Sequence, residues 1–118
     1  MEEKGPMGRI EVSTKAISAV AGRAVMECYG VVGLSSRRLR DGLTQVVRRG
    51  NYSKGVEVRL MDSEIVIDLY VILEYGTRIS EVTRNIARNV HFAVERALDL
   101  HDVRVNVNVQ GLRVSSQD

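Results

Sequence analysis

Six basic side chains lie close together in the middle of the chain. They are Arg37, Arg38, Arg40, Arg48, Arg49 and Lys54. Only Asp41 opposes them, so residues 37–54 carry a net charge of +5 in a chain whose formal net charge is +2. Guanidinium groups make forked contacts with phosphate and carboxylate groups. We call residues 37–54 the basic segment. Its composition predicts either a solvated loop or a surface for an anionic partner, whether an acidic protein, membrane headgroups or RNA.

Residue types that support catalysis or metal binding are present but are not grouped. His91 falls in a predicted helix and His101 in the turn after it, and no His/Cys/Asp/Glu grouping at metal-ligand spacing surrounds either of them. The sequence has no glycine-rich phosphate loop and no G-x-S-x-G nucleophile elbow. Asp62 and Glu64 flank a predicted hairpin turn, which explains them without acid–base chemistry. We therefore expect a protein that is not an enzyme and binds no cofactor.

The composition indicates one small domain. The chain has 118 residues, 44% of them hydrophobic, which suits a single core. We expect residues 1–7 to form a disordered tail, residues 8–114 the domain, and residues 115–118 a second tail. The longest apolar run, Ile65–Leu73, is too short to span a bilayer, and the polar start does not resemble a signal peptide. The single cysteine, Cys28, is expected to be a small buried residue in a reducing, cytoplasmic setting.

Two stretches have helical periodicity. Ser13 is a favourable N-cap for the first helix, and Gly30 is placed to end it. The predicted buried stripe of this helix is Ile17, Val20, Ala21, Ala24, Val25 and Cys28. The second helix follows the break at Tyr75-Gly76-Thr77. Its predicted stripe is Ile79, Val82, Ile86, Val90, Ala93 and Ala97. Spacings of three and four place each set along one helix face.

Alternating residues predict the strands. Arg9–Val12 is a short strand candidate, and Val31–Leu34 is a short strand or a packed turn. Val56–Leu60 and Ile65–Tyr75 alternate on either side of a polar turn, which predicts a hairpin. From Val103 to Gln110, four valines alternate strictly with polar residues. This pattern predicts a strand with one buried face directly after the second helix.

The alternation also assigns the two faces of the sheet. Ile65, Ile67, Leu69, Val71 and Leu73 are predicted to face the helices. The outer face is predicted to carry Glu57, Arg59, Val66, Asp68, Tyr70, Ile72, Asn106 and Asn108. Apolar residues grouped on an otherwise polar face are typical of interaction surfaces, so Val66, Tyr70 and Ile72 are predicted to form a self-association surface.

The predicted fold class is α+β. We expect a two-layer sandwich in which a small, mostly antiparallel sheet has two main helices packed on one face. The basic segment would be an excursion between the first helix and the hairpin.

Short segments of the sequence recur in the order of a known protein family. They are Gly8–Ser13, Ala21–Ala24, Tyr29–Val31, Lys54–Val58, Asp68–Val71, Glu74–Ile79 and Val105–Val109. Over about Gly8 to Leu112 they resemble the alkaline shock protein twenty-three (Gls-type) family of bacterial envelope stress proteins. The resemblance implies a non-enzymatic protein that acts in cell-envelope homeostasis by self-association and protein contacts. It also implies a cytosolic protein, with an indirect route to the membrane through an anchor protein in some members. The arginine density of the basic segment is not a signature of that family.

Two other classes compete with an interaction protein that forms homo-oligomers and binds protein partners. A KH-like RNA-binding module is also a small α+β sandwich, and nucleic acid would then contact the basic segment. However, the sequence lacks a G-x-x-G loop between two helices, and Tyr70 is the one aromatic residue predicted on the open sheet face. A cluster-assembly scaffold would need a C-x-x-C motif, which is missing from the sequence.

Overall fold

The computed structural model describes residues 2–5, 8–11, 13–36, 55–61 and 63–114. The basic segment and the predicted tail at residues 115–118 lie outside the described residues, which stop at Ser36 before the segment and resume at Gly55 after it. The predictions made for them therefore stay predictions.

The N-terminal residues form a hairpin. Strand β1 (Glu2–Gly5) pairs antiparallel with β2 (Gly8–Glu11), with Gly5 opposite Gly8. Residues 2–5 were predicted to belong to a disordered tail, and the structure instead places them in a strand. Residues 2–5 have no alternating apolar pattern in the sequence, so their strand depends on pairing with β2.

A four-stranded sheet forms one layer of the domain. Its strands are β3 (Val31–Leu34), β4 (Val56–Met61), β5 (Glu64–Glu74) and β6 (Val103–Arg113). The central strand is β5, which pairs parallel with β6 and antiparallel with both β3 and β4. The alternatives for residues 31–34 are thus resolved in favour of a strand.

Strands β3 and β4 lie end to end along the same edge of β5. The backbone of Tyr70 joins them, because its carbonyl accepts from the Ser35 N–H at 2.8 Å and its N–H donates to the Gly55 carbonyl at 3.1 Å. Gly55 fits closely here, since a Cβ on it would lie 2.7 Å from the Cβ of Leu34. The chain therefore leaves the sheet after β3 and returns beside the point of departure.

Two helices form the second layer. Helix α1 (Thr14–Met26) begins at the predicted cap, where the Ser13 hydroxyl accepts a hydrogen bond from the Ala16 N–H at 3.0 Å. It ends at Met26, before the predicted stop at Gly30, which has a φ of +87° and turns the chain into β3. Helix α2 (Ile79–Leu98) ends at Asp99 in the left-handed conformation. The helices pack against each other, with α1 over β3 and β4 and α2 over β6.

The hydrophobic core lies between the helices and the inner face of the sheet. All five inner residues predicted for β5 are buried in it, from Ile65 to Leu73. Val103 is buried, and Val105 and Val107 pack partly buried against the same core, so the predicted inner face of β6 is confirmed for three of the four valines, whereas Val109 is 37% exposed. The structure therefore has the predicted α+β architecture, with both helices on one face of a mostly antiparallel sheet.

The buried stripe of α2 differs from the predicted one. Val82, Ile86, Val90 and Val94 are buried, whereas Ile79 is 41% exposed and Ala97 is exposed. After Val90, both residue 93 and residue 94 satisfy helical spacing, so the periodicity could not select between them. The larger apolar side chain of Val94 occupies the core.

Candidate functional site

The residues predicted for self-association share the outer face of the sheet, but two of the three are buried. Val66 is 3% exposed and Ile72 is 0% exposed, whereas Tyr70 is half-buried. The exposure on which that prediction rested is therefore wrong for Val66 and Ile72. Val66 lies between Arg59 of β4 and Arg104 of β6, whereas the partners of Ile72 are Gly33 and Gly111, so neighbouring side chains account for the burial of Val66 alone. Long stems of such side chains cover apolar neighbours while their charged ends reach water.

A buried carboxylate organises the middle of this outer face. Asp68 is 7% exposed, and its Oδ2 accepts from Nε and lies 2.8 Å from Nη2 of Arg59. Its Oδ1 accepts from the side-chain amide of Asn106 at 2.9 Å. The two partners come from the strands on either side of β5. Both carboxylate oxygens are therefore engaged, and the cluster joins three strands across the sheet.

The other polar groups of the outer face are also paired across strands. The Tyr70 hydroxyl donates to Glu57 Oε1 at 3.4 Å, and the Asn108 amide donates to the Leu69 carbonyl at 3.2 Å. Arg104 Nε lies 3.3 Å from Glu64 Oε2 near the other end of the sheet. Such pairs stabilise sheet register. The arrangement thus uses its charges to hold the strands together.

Histidine and cysteine positions follow the sequence-based predictions. His91 Nδ1 lies 3.4 Å from Glu95 Oε1, one turn along α2, and His101 is exposed. Cys28 is buried, as predicted, with its thiol donating to the Ala24 carbonyl and accepting from the Asn89 amide, both at 3.3 Å. Among the described residues, no group of three His, Cys, Asp or Glu residues is placed to hold a metal ion.

Three large side chains are exposed at one end of the sheet, next to residues whose backbone groups form short hydrogen bonds. Tyr29 is 83% exposed, Tyr75 is 68% exposed and Val114 is 80% exposed. Two backbone hydrogen bonds connect the segments that carry them. The Glu74 N–H donates to the carbonyl of Gly30, the residue after Tyr29, and the Tyr75 N–H donates to the carbonyl of Arg113, the residue before Val114, both at 2.8 Å. We call Tyr29, Tyr75 and Val114 the tyrosine end.

The turns that carry these tyrosines are closely fitted to the domain. Gly30 has a left-handed φ, and a Cβ on it would lie 3.0 Å from Cγ2 of Val82 in α2. The Thr77 hydroxyl donates to the Glu74 carbonyl at 2.8 Å and so closes the second turn. Tyr75-Gly76 was predicted to have a structural role, as the break before the second helix, and its exposure was not predicted. The repetition of Tyr-Gly at the ends of two elements was the signal that could have indicated a shared surface.

Comparison with known proteins gives the family. The model of the alkaline shock protein twenty-three family, described as having a "cell envelope-related function", matches residues 2–114. The chain belongs to this alkaline shock family. The resemblance stated from the motifs is thereby confirmed, and the protein is a member of a family with a role in the cell-envelope stress response.

The relatives of this alkaline shock family member are similar along nearly all of its length. An uncharacterised protein, YloU of Bacillus subtilis strain 168, is 42% identical over 117 residues, which cover 98% of each chain. A protein of Streptococcus pyogenes serotype M3 named "Stress response regulator gls24 homolog" is 24% identical, over 93% of this chain and 62% of the relative.

The solved structures similar to this alkaline shock domain include the MamM C-terminal domain. One such structure matches with a TM-score of 0.49 and 13% identity, over 84% of this chain and 99% of that one. A likeness at that level carries no inference about function. Within the ranges that the structure describes, no helix has the length and hydropathy of a membrane span.

Proposed function

We propose that the protein is a non-enzymatic interaction protein that acts in the cell-envelope stress response through self-association and contacts with other proteins. The observation that carries this proposal is the tyrosine end. Exposed large apolar and aromatic side chains on closely fitted turns are typical of protein-binding surfaces.

The composition of the tyrosine end favours a protein partner. Tyrosine supplies a large contact area with few rotatable bonds, so its side chain loses little conformational freedom on binding. Ile79 and Leu112, which are 41% and 42% exposed, flank the tyrosine end at the start of α2 and near the end of β6. An apolar side chain of a partner protein would therefore find both aromatic and aliphatic contacts at this end.

The state of the carboxylates supports a non-catalytic role. A general base needs a free oxygen within reach of substrate. Asp68 has both oxygens engaged by Arg59 and Asn106, and Glu64 is paired with Arg104. On this proposal these charged groups of the outer face stabilise the pairing of adjacent strands. On this proposal the protein acts through the surfaces it presents.

Site-specific photo-cross-linking in native cells tests the protein contact. The photoreactive residue p-benzoylphenylalanine would replace Tyr29 or Tyr75, with replacement of Phe92 as the matched control. Phe92 is 59% exposed, but it lies on α2 and packs beside Arg96. We expect discrete protein adducts from positions 29 and 75 that are stronger than any adduct from position 92. Circular dichroism would verify that the variants are folded.

The outcomes separate the two functional classes. Adducts that disappear on protease treatment and resist nuclease support the proposal. Adducts that disappear on nuclease treatment would favour the RNA-binding alternative instead. Equal labelling at all three positions, or none at positions 29 and 75, would count against a partner surface at the tyrosine end.

A further inference from the structure

We propose that β6 pairs edge to edge, in antiparallel orientation, with β6 of a second copy of this chain. The two-fold axis would pass beside Val107, so that two four-stranded sheets join into one continuous sheet. The inference rests on the self-association in the proposed function and assigns it to a particular strand and register.

Strand β6 is a long edge strand with little protection. In the described part of the chain it pairs with β5 and with no other strand. It has 11 residues, about twice the usual strand length. Proteins commonly block such edges with proline or with free charges, particularly lysine. Strand β6 contains neither proline nor lysine, and its first charge, Arg104, is already paired with Glu64.

Alternate backbone groups of β6 point away from β5. In a parallel ladder, alternate residues direct their N–H and C=O toward one neighbour. The Ile65 N–H donates to the Asp102 carbonyl at 2.9 Å, so the even-numbered residues at the start of β6 face β5. The odd-numbered residues there face outward. They are Val103, Val105, Val107 and Val109.

The outward-facing stretch is limited at both ends. The β5–β6 register shifts between Val71 and Ile72, and beyond it the Arg113 carbonyl accepts from the Tyr75 N–H. Odd-numbered residues beyond the shift therefore face β5. At the other end Val103 is only 7% exposed, whereas Val109 is 37% exposed. The accessible stretch is thus Val105–Val109, which is symmetric about Val107.

This stretch complements itself. With the axis at Val107, Val105 lies opposite Val109 of the second copy, and each hydrogen-bonded pair exchanges two backbone bonds. Odd-numbered residues of one copy lie opposite odd-numbered residues of the other, so valines contact valines on the inner face. On the outer face Asn106 meets Asn108, and Arg104 meets Gln110. No like charges oppose each other, and half-buried valines become covered, which favours a second copy as the occupant.

Disulfide trapping tests the register. In a Cys28→Ala background, Val107→Cys would place two cysteines about 5.5 Å apart between Cα atoms, within the range of a disulfide. The matched control is Asn106→Cys, whose two cysteines would lie diagonally, roughly 7–8 Å apart. We expect mild oxidation to give a covalent dimer of the first variant on a non-reducing gel and monomer of the second. Trapping of Asn106→Cys in place of Val107→Cys would overturn the proposed register.

Sedimentation velocity tests the edge without relying on cysteine geometry. We expect Val109→Lys to raise the dissociation constant at least tenfold, because a charge on an edge strand opposes pairing. Leu60→Lys is the matched control, since Leu60 is 49% exposed and lies in β4, on the other side of β5. It should leave association unchanged.

The result also distinguishes this inference from the broader proposal. Association of the parent protein that Val109→Lys leaves unchanged, together with the absence of a disulfide-linked dimer of Val107→Cys, would overturn the β6 interface and leave self-association standing. A parent protein that sediments as a monomer up to high micromolar concentration would overturn both.

Discussion

Both faces of β5 contain buried side chains, but the contacts of these side chains differ between the faces. On the inner face, Leu69 and its apolar neighbours pack against the two helices in the core. On the outer face, Asp68 is almost as inaccessible, yet its contacts are Arg59 and Asn106 of the adjacent strands. Ile72 is fully buried on this second face without belonging to the core cluster. Individual positions on either face of the central strand are therefore buried, although Tyr70 on the outer face is only half-buried.

Alternation thus predicts orientation better than it predicts exposure. The sequence pattern assigned Val66 and Ile72 to the correct face of the sheet. The prediction that this face exposes them to solvent was wrong. Alternation reports the face on which a side chain lies. It does not report how closely other groups cover that face, and exposure depends on this covering.

The largest difference between the faces should appear in alanine substitutions of buried aliphatic residues. We expect Leu69→Ala to lower the free energy of unfolding by about 2–5 kcal/mol, because it leaves a cavity in the core. Ile72→Ala should cost about 2 kcal/mol, at the lower end of that range, since the residues paired with Ile72 on both sides are Gly33 and Gly111. Urea denaturation measures both values. An Ile72→Ala cost above that of Leu69→Ala would show that the outer face is packed as a second core.

The charged cluster provides the second test of how the outer face is stabilised. Arg59→Ala leaves the buried Asp68 carboxylate with Asn106 as its remaining side-chain partner. We expect this to lower the free energy of unfolding by about 2–3 kcal/mol. Asp68→Ala should cost about 1 kcal/mol, because the Arg59 side chain is 44% exposed and can be rehydrated. The double variant should be more stable than Arg59→Ala, and the reverse order would indicate that the carboxylate is not desolvated.

The smallest expected effect concerns the rim of the same face. Tyr70→Phe removes a hydrogen bond to Glu57 whose oxygens are 3.4 Å apart, which is long for an O–H···O bond. We expect thermal denaturation to show a loss of about 0.5 kcal/mol or less. Asn108→Ala, which removes the bond to the Leu69 carbonyl, serves as the comparison on the neighbouring strand. A loss above about 1 kcal/mol for Tyr70→Phe would make the hydroxyl part of the stabilising network.

Local patterns in the sequence predicted most of the fold. The Ser13 cap, the α2 stripe from Val82 to Val90 and the alternation of β6 each depend on neighbours within a few residues, and each is found in the structure. The α+β class followed from the order of these elements. The resemblance in sequence motifs predicted the family for the same reason, because the motifs lie in order along the chain.

Pairings between distant segments were not predictable in this way. Nothing in residues 31–34 or 56–61 indicates that β3 and β4 share one edge of β5, since backbone hydrogen bonds carry no side-chain signature. The exposure of Tyr29 and Tyr75 was missed for a related reason. The hydrogen bond between the Glu74 N–H and the Gly30 carbonyl brings their turns together, and a contact between residues so far apart in the chain is visible only in the structure. The predicted roles of Arg48 and its neighbours in the basic segment still await a test.

The end-to-end placement of β3 and β4 gives this domain an insertion point. The chain departs after Ser36 and returns at Gly55, and the residues on both sides are fastened to Tyr70. A single residue of the central strand therefore holds the two ends of residues 37–54 side by side, so the sheet itself fixes where that segment begins and where it ends.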